Sequence, residues 1–210
     1  MPNKRVYVVD DDPALRDSLA ALLHAAGYEA ETFESAKAFL TYGGAQSTGC
    51  VVADVRMPDM DGLELQEELA RRQAQLRVII VTGHADVPLA VRAMKAGAID
   101  FLEKPFDENA LLESVERAFE ALKPEPETEV DRGAEERFRL LTDRERQVLE
   151  EIVDGHANKV IAYHLSISPR TVELHRARVM DKMAARGVAE LVRMTLPILR
   201  MRDGEKYSQH

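Results

Sequence analysis

Short apolar runs alternate with longer amphipathic stretches along the first 120 residues of the chain. The short runs are rich in Val and Ile and predict buried β-strands, whereas the longer stretches have the periodicity of helices. The predicted strands are residues 6–9, 29–33, 50–53, 78–81 and 99–102, and the predicted helices are residues 13–26, 35–41, 62–72, 87–96 and 109–122. Because parallel strands need crossover helices, these βα units predict a doubly wound α/β fold around a five-stranded parallel sheet.

The pattern changes at residue 123. Residues 123–129 alternate Pro and Glu, which favours an extended, self-repelling segment with nothing to bury. Helical signals then return, with predicted helices near residues 142–155, 158–165, 170–183 and 188–201, and Pro197 is a candidate position for a bend. We therefore predict a first domain of residues 1–122, a linker of residues 123–138 and a small all-α domain of residues 139–210.

Composition and charge point to a cytoplasmic globular protein. Hydrophobic residues make up 45% of the chain and charged residues 31%, so neither disorder nor a membrane span is expected. The first residues lack the length of a signal peptide, and the single cysteine, Cys50, is expected to be a small core residue. The net charge of −9 is unevenly divided: residues 1–138 carry 15 basic and 27 acidic residues, and residues 139–210 carry 13 and 10. This asymmetry suggests different partners for the two parts.

Polar residues follow four of the predicted strands, either at the next position or, for the last strand, two positions later. They are Asp10, Asp11, Asp12, Asp54, Thr82 and Lys104. Because the carboxyl ends of parallel strands meet at one edge of a sheet, these side chains are expected to converge there. Clustered carboxylates need a cation, and hard oxygen ligands suit Mg²⁺. An aspartate can accept a phosphoryl group covalently, while a lysine and a hydroxyl hold its oxygens. Asp12, which precedes Pro13, is better explained as a helix N-cap.

Four stretches of the first domain resemble the receiver domain of two-component response regulators. They are Val9-Asp10-Asp11-Asp12, Asp54-Val55-Arg56-Met57-Pro58-Asp59-Met60-Asp61-Gly62, Thr82-Gly83-His84 and Lys104-Pro105-Phe106. The resemblance spans about residues 4–122 and implies a flavodoxin-like fold. It also implies that a cognate sensor histidine kinase phosphorylates the protein on Asp54.

The resemblance assigns roles to the remaining residues of the site. Mg²⁺ would be held by Asp10, Asp11, Asp54 and the backbone carbonyl of Arg56. Thr82 would be the switch hydroxyl, Lys104 the phosphate-binding lysine and Phe101 the aromatic rotamer switch. The Lys104–Pro105 peptide bond would be cis, as X-Pro bonds tolerate.

Arg56 and His84 lie two residues beyond Asp54 and Thr82, at the rim of the predicted site. Their side chains are candidates for gating the water that hydrolyses an acyl phosphate. The alternative is that both are ordinary solvent-exposed loop residues, and the sequence favours neither.

The second domain is predicted to be a helix-turn-helix. Thr142 is followed three residues later by Glu145, which is the spacing of a capping box at a helix start. The next helix ends in the turn Ser166-Ile167-Ser168, and Pro169 suits the first position of the helix that follows. A helix, a short turn and a basic helix form the pattern that enters the major groove of DNA.

The helix at residues 170–183 has two predicted faces. Val172, Val179 and Met183 recur at helical spacing and predict the buried face. The opposite face and its flanks carry small, apolar, hydrogen-bonding and basic side chains that suit base edges and phosphates. The predicted DNA-binding residues are Lys159, Arg170, Thr171, Glu173, Leu174, His175, Arg176, Ala177, Arg178 and Lys182. The alternative is an ordinary charged face exposed to solvent. The capped helix and the turn that precede this helix make that alternative the weaker explanation.

Residues 141–194 resemble the LuxR-type output domain. The stretches that carry the resemblance are Leu141-Thr142, Arg144-Glu145-Arg146, Asn158-Lys159, Ile161-Ala162 and residues 168–172. Joined to the receiver, they make the chain similar to the FixJ branch of response regulators, which residues 82–88 also favour. Some relatives carry lysine at the position of Glu173, so base preference stays open.

The family resemblance implies a monomer with a hindered recognition surface, which dimerises once it is phosphorylated. Val87, Val91 and Lys95 are predicted to form the two-fold receiver interface, although Val91 is also explained as a core residue. The implied partners are a sensor histidine kinase, promoter DNA, a second copy of the chain and, as a further candidate, RNA polymerase. No membrane partner is expected.

Two rival functions are considered. A Mg²⁺-dependent phosphatase with an aspartyl nucleophile would also use Asp54, but enzymes of the dehalogenase type carry a second Asp where this chain has Arg56. The chain also has no spare length for a substrate cap, so we expect it not to be an enzyme. The second alternative is a regulator that responds to a protein or small molecule and not to phosphorylation. The full set of acceptor residues argues against this alternative.

Overall fold

The structure is a computed structural model that describes residues 4–43, 46–84, 86–123 and 132–207, with side chains up to residue 201. In chain order the elements are β1 (Arg5–Val9), α1 (Pro13–Ala25), β2 (Glu29–Phe33), α2 (Ala36–Thr41), β3 (Thr48–Asp54), α3 (Gly62–Arg71), β4 (Gln75–Thr82), α4 (Val87–Lys95), β5 (Asp100–Glu103), α5 (Glu108–Glu120), α6 (Arg132–Arg139), α7 (Asp143–Val153), α8 (Asn158–His164), α9 (Pro169–Met183) and α10 (Val188–Tyr207). The described residues form two compact units. The first unit contains the described residues up to residue 84 together with residues 96–123. The second unit contains residues 86–95 and the residues from 132 onward.

The first unit is built on a five-stranded parallel sheet with the order β2-β1-β3-β4-β5. This is the flavodoxin-like doubly wound order, so the predicted fold class is confirmed. Residues 49–54 of the central strand β3 are all buried, and Cys50 lies in the core with Val6 and Val52. A strand that is apolar on both faces is stable only where helices cover both sides of the sheet.

Caps and close approaches fix the helices next to the strand ends. The Asp12 side chain accepts hydrogen bonds from the backbone of Ala14 and Leu15 and caps α1, as predicted. Asp61 and Glu64 form a capping box at the start of α3. A Cβ atom on Gly62 would lie 2.3 Å from the backbone oxygen of Asp54, so only glycine allows this helix to begin so close to β3.

The helices of the second unit bury apolar residues of their own, among them Leu149, Ile161 and Leu191. Thr142 and Glu145 form the predicted capping box of α7, with both reciprocal hydrogen bonds present. Val172, Val179 and Met183 of α9 are fully buried, which confirms the predicted inward face. The helix α10 continues past its predicted end at residue 201 and contains Pro197 in its interior.

The helix α6 was not predicted. It lies within the segment interpreted as a linker, residues 123–138, of which residues 124–131 fall outside the described chain. Ala134 and Phe138 are buried, so the second half of that segment has apolar residues to bury and forms a helix rather than an extended spacer.

Among the described helices, none combines the length and the apolar character that crossing a bilayer requires.

Candidate phosphoryl-acceptor site and DNA-binding surface

The carboxyl ends of β1, β3 and β5 bring three charged side chains together. Lys104 Nζ lies 2.7 Å from Asp10 Oδ2 and 2.5 Å from Asp54 Oδ1, so one ammonium group bridges two carboxylates. Asp10 and Asp54 are 1% and 5% exposed, which leaves only the edge of the site open. The backbone N–H of Arg56 donates to Asp54 Oδ2 at 2.6 Å and helps to orient the carboxylate.

The electrostatic state of this cluster follows from its burial. Burial raises the pKa of Asp54, and the negative charge of Asp10 raises it further. The hydrogen bond and the positive charge of Lys104 lower this pKa, but the net effect is a rise. Burial lowers the pKa of Lys104, but its hydrogen bonds and ion pairs with Asp10 and Asp54 outweigh that effect and raise it overall. The ammonium group therefore stays charged, while a second cation would favour ionised Asp54.

The donor set fits Mg²⁺. Asp10 and Asp54 carry two negative charges against the single positive charge of Lys104, and Asp11 lies exposed beside them. The available ligands are carboxylate and carbonyl oxygens, which are the ligands that Mg²⁺ prefers. Asp10, Asp11, Asp54 and the carbonyl of Arg56 would hold the ion.

Thr82 is the last residue of β4, and Phe101 lies on the neighbouring strand β5, where it pairs with Ile80. Thr82 is fully buried, and its hydroxyl exchanges hydrogen bonds with the backbone of His84 at 3.2 and 3.3 Å. Phe101 is 8% exposed, and the Lys104–Pro105 peptide is cis, as the resemblance implied. The side chains of Arg56 and His84 are exposed, which is compatible with either interpretation of these rim residues.

Two contributors to the site were not predicted. The Arg16 side chain donates to the backbone oxygen of Asp10 at 2.7 Å and ties α1 to the end of β1. Gly62 allows α3 to begin against Asp54. No sequence pattern marks the Arg16 contact, whereas a glycine directly after the predicted loop could have been recognised as a close-approach position.

Five of the predicted DNA-binding residues lie on the outer face of α9. Arg170, Glu173, Leu174, Ala177 and Arg178 are all exposed, and Leu174 keeps 51% of its surface accessible. Lys159, near the start of α8, is exposed as well. Pro169 occupies the first turn of α9, and Ser168 caps it through the backbone of Thr171 at 3.1 Å.

The flanking residues are less free to reach DNA. Lys182 Nζ pairs with Glu145 Oε2 at 2.7 Å and also donates to the Leu140 carbonyl, so its ammonium group joins α9 to α7. His175 and Arg176 are half-buried, and within the described chain one nitrogen of each is buried without a hydrogen-bond partner. Burial lowers the pKa of Arg176. Their predicted phosphate contacts would require side-chain movement.

The residues of the predicted dimer interface differ in exposure. In α4, Val91 is buried, Val87 is half-buried and Lys95 is exposed. Val91 belongs to the second unit, where its Cγ1 would lie 3.6 Å from a Cβ atom on Gly155. Its burial therefore does not place it in the core around the sheet, and the interface stays a prediction.

The chain is similar to known proteins in both of its parts. It matches the response regulator receiver domain over residues 6–116 and the luxR family of bacterial regulatory proteins over residues 139–195. The chain belongs to the two-component response regulators that join a receiver to a LuxR-type helix-turn-helix, and it is a DNA-binding regulator of transcription.

Within this class the chain is of the FixJ type. It is 54% identical to the transcriptional regulatory protein FixJ of Azorhizobium caulinodans over 91% of either chain, and 48% identical to FixJ of Rhizobium meliloti over 93% of this chain and 97% of that one. Among solved structures, full-length FixJ from B. japonicum is 46% identical with a TM-score of 0.55, covering 93% of this chain and 97% of that chain. The response regulator StyR is 42% identical with a TM-score of 0.55, covering 93% and 99%.

Proposed function

We propose that Asp54 accepts a phosphoryl group from a cognate sensor histidine kinase, and that the phosphorylated protein dimerises through its receiver and binds promoter DNA. The observation that carries this proposal is the bridge from Lys104 to the buried carboxylates of Asp10 and Asp54 at one edge of the sheet. The protein acts as a regulator of transcription and not as an enzyme.

Phosphoryl transfer forms one bond and breaks another at phosphorus. An oxygen of the Asp54 carboxylate attacks the phosphorus atom, and the bond from phosphorus to the donor imidazole breaks as that nitrogen keeps the electron pair. Bound Mg²⁺ would supply positive charge to the carboxylates and to the phosphoryl oxygens. The Lys104 ammonium group, already 2.5 Å from Asp54, supplies a second positive charge to the developing product.

The acyl phosphate replaces a carboxylate with a more highly charged group that has three further acceptor oxygens. Lys104 can then turn from Asp10 to a phosphoryl oxygen, and the Thr82 hydroxyl can leave the backbone of His84 for another. Phe101, on the neighbouring strand β5, is already 8% exposed, so its proposed role is to stay inward once Thr82 binds the phosphoryl group. These local changes would bias the receiver towards the dimerising state.

Dimerisation would strengthen the electrostatic attraction between the protein and DNA. Residues 139–210 carry 13 basic and 10 acidic residues, so one copy attracts DNA only weakly. Two copies double the contacts with DNA phosphates and read two half-sites. RNA polymerase is a further candidate partner for a protein that binds a promoter in this way.

The proposal is tested with Asp54→Asn and its matched control Asp59→Asn, which makes the same change in the exposed loop before α3. Each chain is treated with acetyl phosphate and Mg²⁺, and intact mass, oligomeric state and DNA binding are measured. We expect one phosphoryl group, dimerisation and tighter DNA binding for the unmodified chain and for the control, and none of these for Asp54→Asn.

Full phosphorylation of Asp54→Asn would remove Asp54 as the acceptor. DNA binding that is equally tight before and after phosphorylation would favour a regulator driven by another signal. Sustained turnover of a small phosphoester would favour the phosphatase alternative.

A further inference from the structure

A cluster of two histidines and one glutamate lies in the second unit, and none of the three is among the predicted DNA-binding residues. His156 Nδ1 and His164 Nδ1 lie 2.7 and 2.9 Å from the same oxygen, Oε2 of Glu151. One ligand atom from each residue lies within 4.8 Å of the other two. Glu151 and His156 are half-buried and His164 is exposed, so the cluster is formed by the fold yet open to solvent.

Backbone structure holds the three residues in place. Glu151 lies in the last turn of α7, and His164 is the last residue of α8. Between them the chain turns at Gly155, whose φ is 84°, and the backbone N–H of His156 donates to the Glu151 carbonyl at 3.1 Å. The donors therefore converge from a helix end, a tight turn and a second helix.

We infer that Glu151, His156 and His164 bind one divalent transition-metal ion of the Zn²⁺ class. Two imidazole nitrogens and one carboxylate oxygen form a donor set that suits Zn²⁺, Ni²⁺, Co²⁺ or Cu²⁺ and is poor for Mg²⁺. Zinc binds such atoms at about 2.0–2.2 Å, which places two tetrahedral ligands about 3.3 Å apart. The observed nitrogen-to-oxygen separations of 2.7 and 2.9 Å therefore need only a small opening.

The site would be three-coordinate from the protein, with the remaining position open to water or another ligand. The ion would take the place of the protons that now link both imidazoles to the carboxylate. It would join the end of α7 to the end of α8 and stabilise the second unit. The purely structural alternative is a hydrogen-bonded triad that binds no metal.

The experiment uses the full chain without a histidine tag, stripped with a chelator and kept in excess Mg²⁺ so that the receiver carboxylates are occupied. Zinc binding is measured by equilibrium dialysis, and the thermal unfolding midpoint is measured with and without zinc. His164→Gln removes an exposed ligand, and His24→Gln makes the same change at an exposed histidine of the first unit. Circular dichroism verifies that each variant folds.

We expect the unmodified chain and His24→Gln to bind one zinc ion each. His164→Gln should lose more than about tenfold in zinc affinity. Zinc should raise the thermal unfolding midpoint only where the site is intact. Co²⁺ should give visible absorption bands that His164→Gln weakens. A second variant, His156→Gln, gives the same readout if His164→Gln folds poorly. Equal zinc binding by all variants, or none by the unmodified chain, would overturn the inference. Asp54→Asn should keep the zinc site, so failure of the phosphorylation proposal is distinguished from failure of this one.

Discussion

At the scale of single residues, the candidate acceptor site depends on how closely backbone and side chains approach one another. The start of α3 lies so near to β3 that Gly62 has no room for a side chain, and the same strand end carries Asp54. Buried charges at this point tolerate little displacement, because Asp10 and Asp54 share one ammonium partner.

Replacing Gly62 with alanine should therefore destabilise the first unit. The new Cβ would lie 2.3 Å from the Asp54 carbonyl oxygen, and relief of that overlap should cost about 1–3 kcal/mol of unfolding free energy. Urea unfolding of the full chain measures this change. Gly83→Ala is the matched control, because a Cβ at Gly83 meets nothing within 4 Å, and an equal loss in both variants would contradict the close-approach explanation.

The sequence predicted which residues would meet at the sheet edge, but not all of their contacts. Asp10, Asp54 and Lys104 could be predicted because each follows a strand, and parallel strands end at one edge. The Lys182 contact with Glu145 could not, since 37 positions separate the two residues and helical periodicity shows only which face is buried. The ammonium group of Lys182 joins two helices, and its predicted contact with DNA phosphates stays a prediction.

At the scale of elements, the helix-turn-helix is held together by the polar cap of α7 as well as by its core. Glu145 is 3% exposed, accepts from the backbone of Thr142 and from Lys182, and so connects α7 to α9. Burial raises the pKa of Glu145, but Lys182 and the cap hydrogen bonds outweigh it and lower the pKa to about 2.

Acid should weaken this connection in a defined range of pH. Because the pKa is lower in the folded than in the unfolded state, the ionised carboxylate stabilises the fold above pH 4.5, and this contribution is lost as the pH falls towards 2. Glu145→Gln should lack that contribution, so its difference in unfolding free energy from the unmodified chain should shrink over the same range. Denaturant titrations from pH 6 to pH 2, followed by a signal from the second unit, would measure it; a constant difference would contradict the assignment.

The elements that were wrong or missing have identifiable causes. The helix α6 follows a segment of alternating Pro and Glu that favours an extended chain, and its two buried residues, Ala134 and Phe138, are too few to show a helical period in the sequence. The helix α10 was predicted to end at residue 201 but continues to Tyr207 with Pro197 in its interior, a position where proline removes a hydrogen bond without stopping this helix.

At the scale of the whole molecule, the two parts of the chain differ in net charge. Residues 1–138 carry 15 basic and 27 acidic residues, whereas residues 139–210 carry 13 basic and 10 acidic residues. Lys159, Arg170 and Arg178 are exposed on α8 and α9, so a dimer would present each of them twice.

The salt dependence of DNA binding should report how many DNA phosphates these side chains neutralise. If these side chains neutralise six DNA phosphates in a dimer, the logarithm of the binding constant should fall with the logarithm of salt concentration with a slope of about −5. Lys159→Ala should make the slope of the phosphorylated chain shallower by about 2, because two contacts disappear. Lys37→Ala, an exposed position of the first unit, is the control, and an unchanged slope for Lys159→Ala would exclude Lys159 as a phosphate contact.

The chain contains one cysteine, and it lies at 0% exposure in the central strand of the receiver, where burial raises the pKa of its thiol. A thiol-reactive dye therefore has no target while β3 is covered and one target per molecule once the sheet opens. The rate of labelling measures how often the receiver opens, without any engineered probe. Comparing that rate before and after phosphorylation would show directly whether the acyl phosphate tightens or loosens the centre of the sheet.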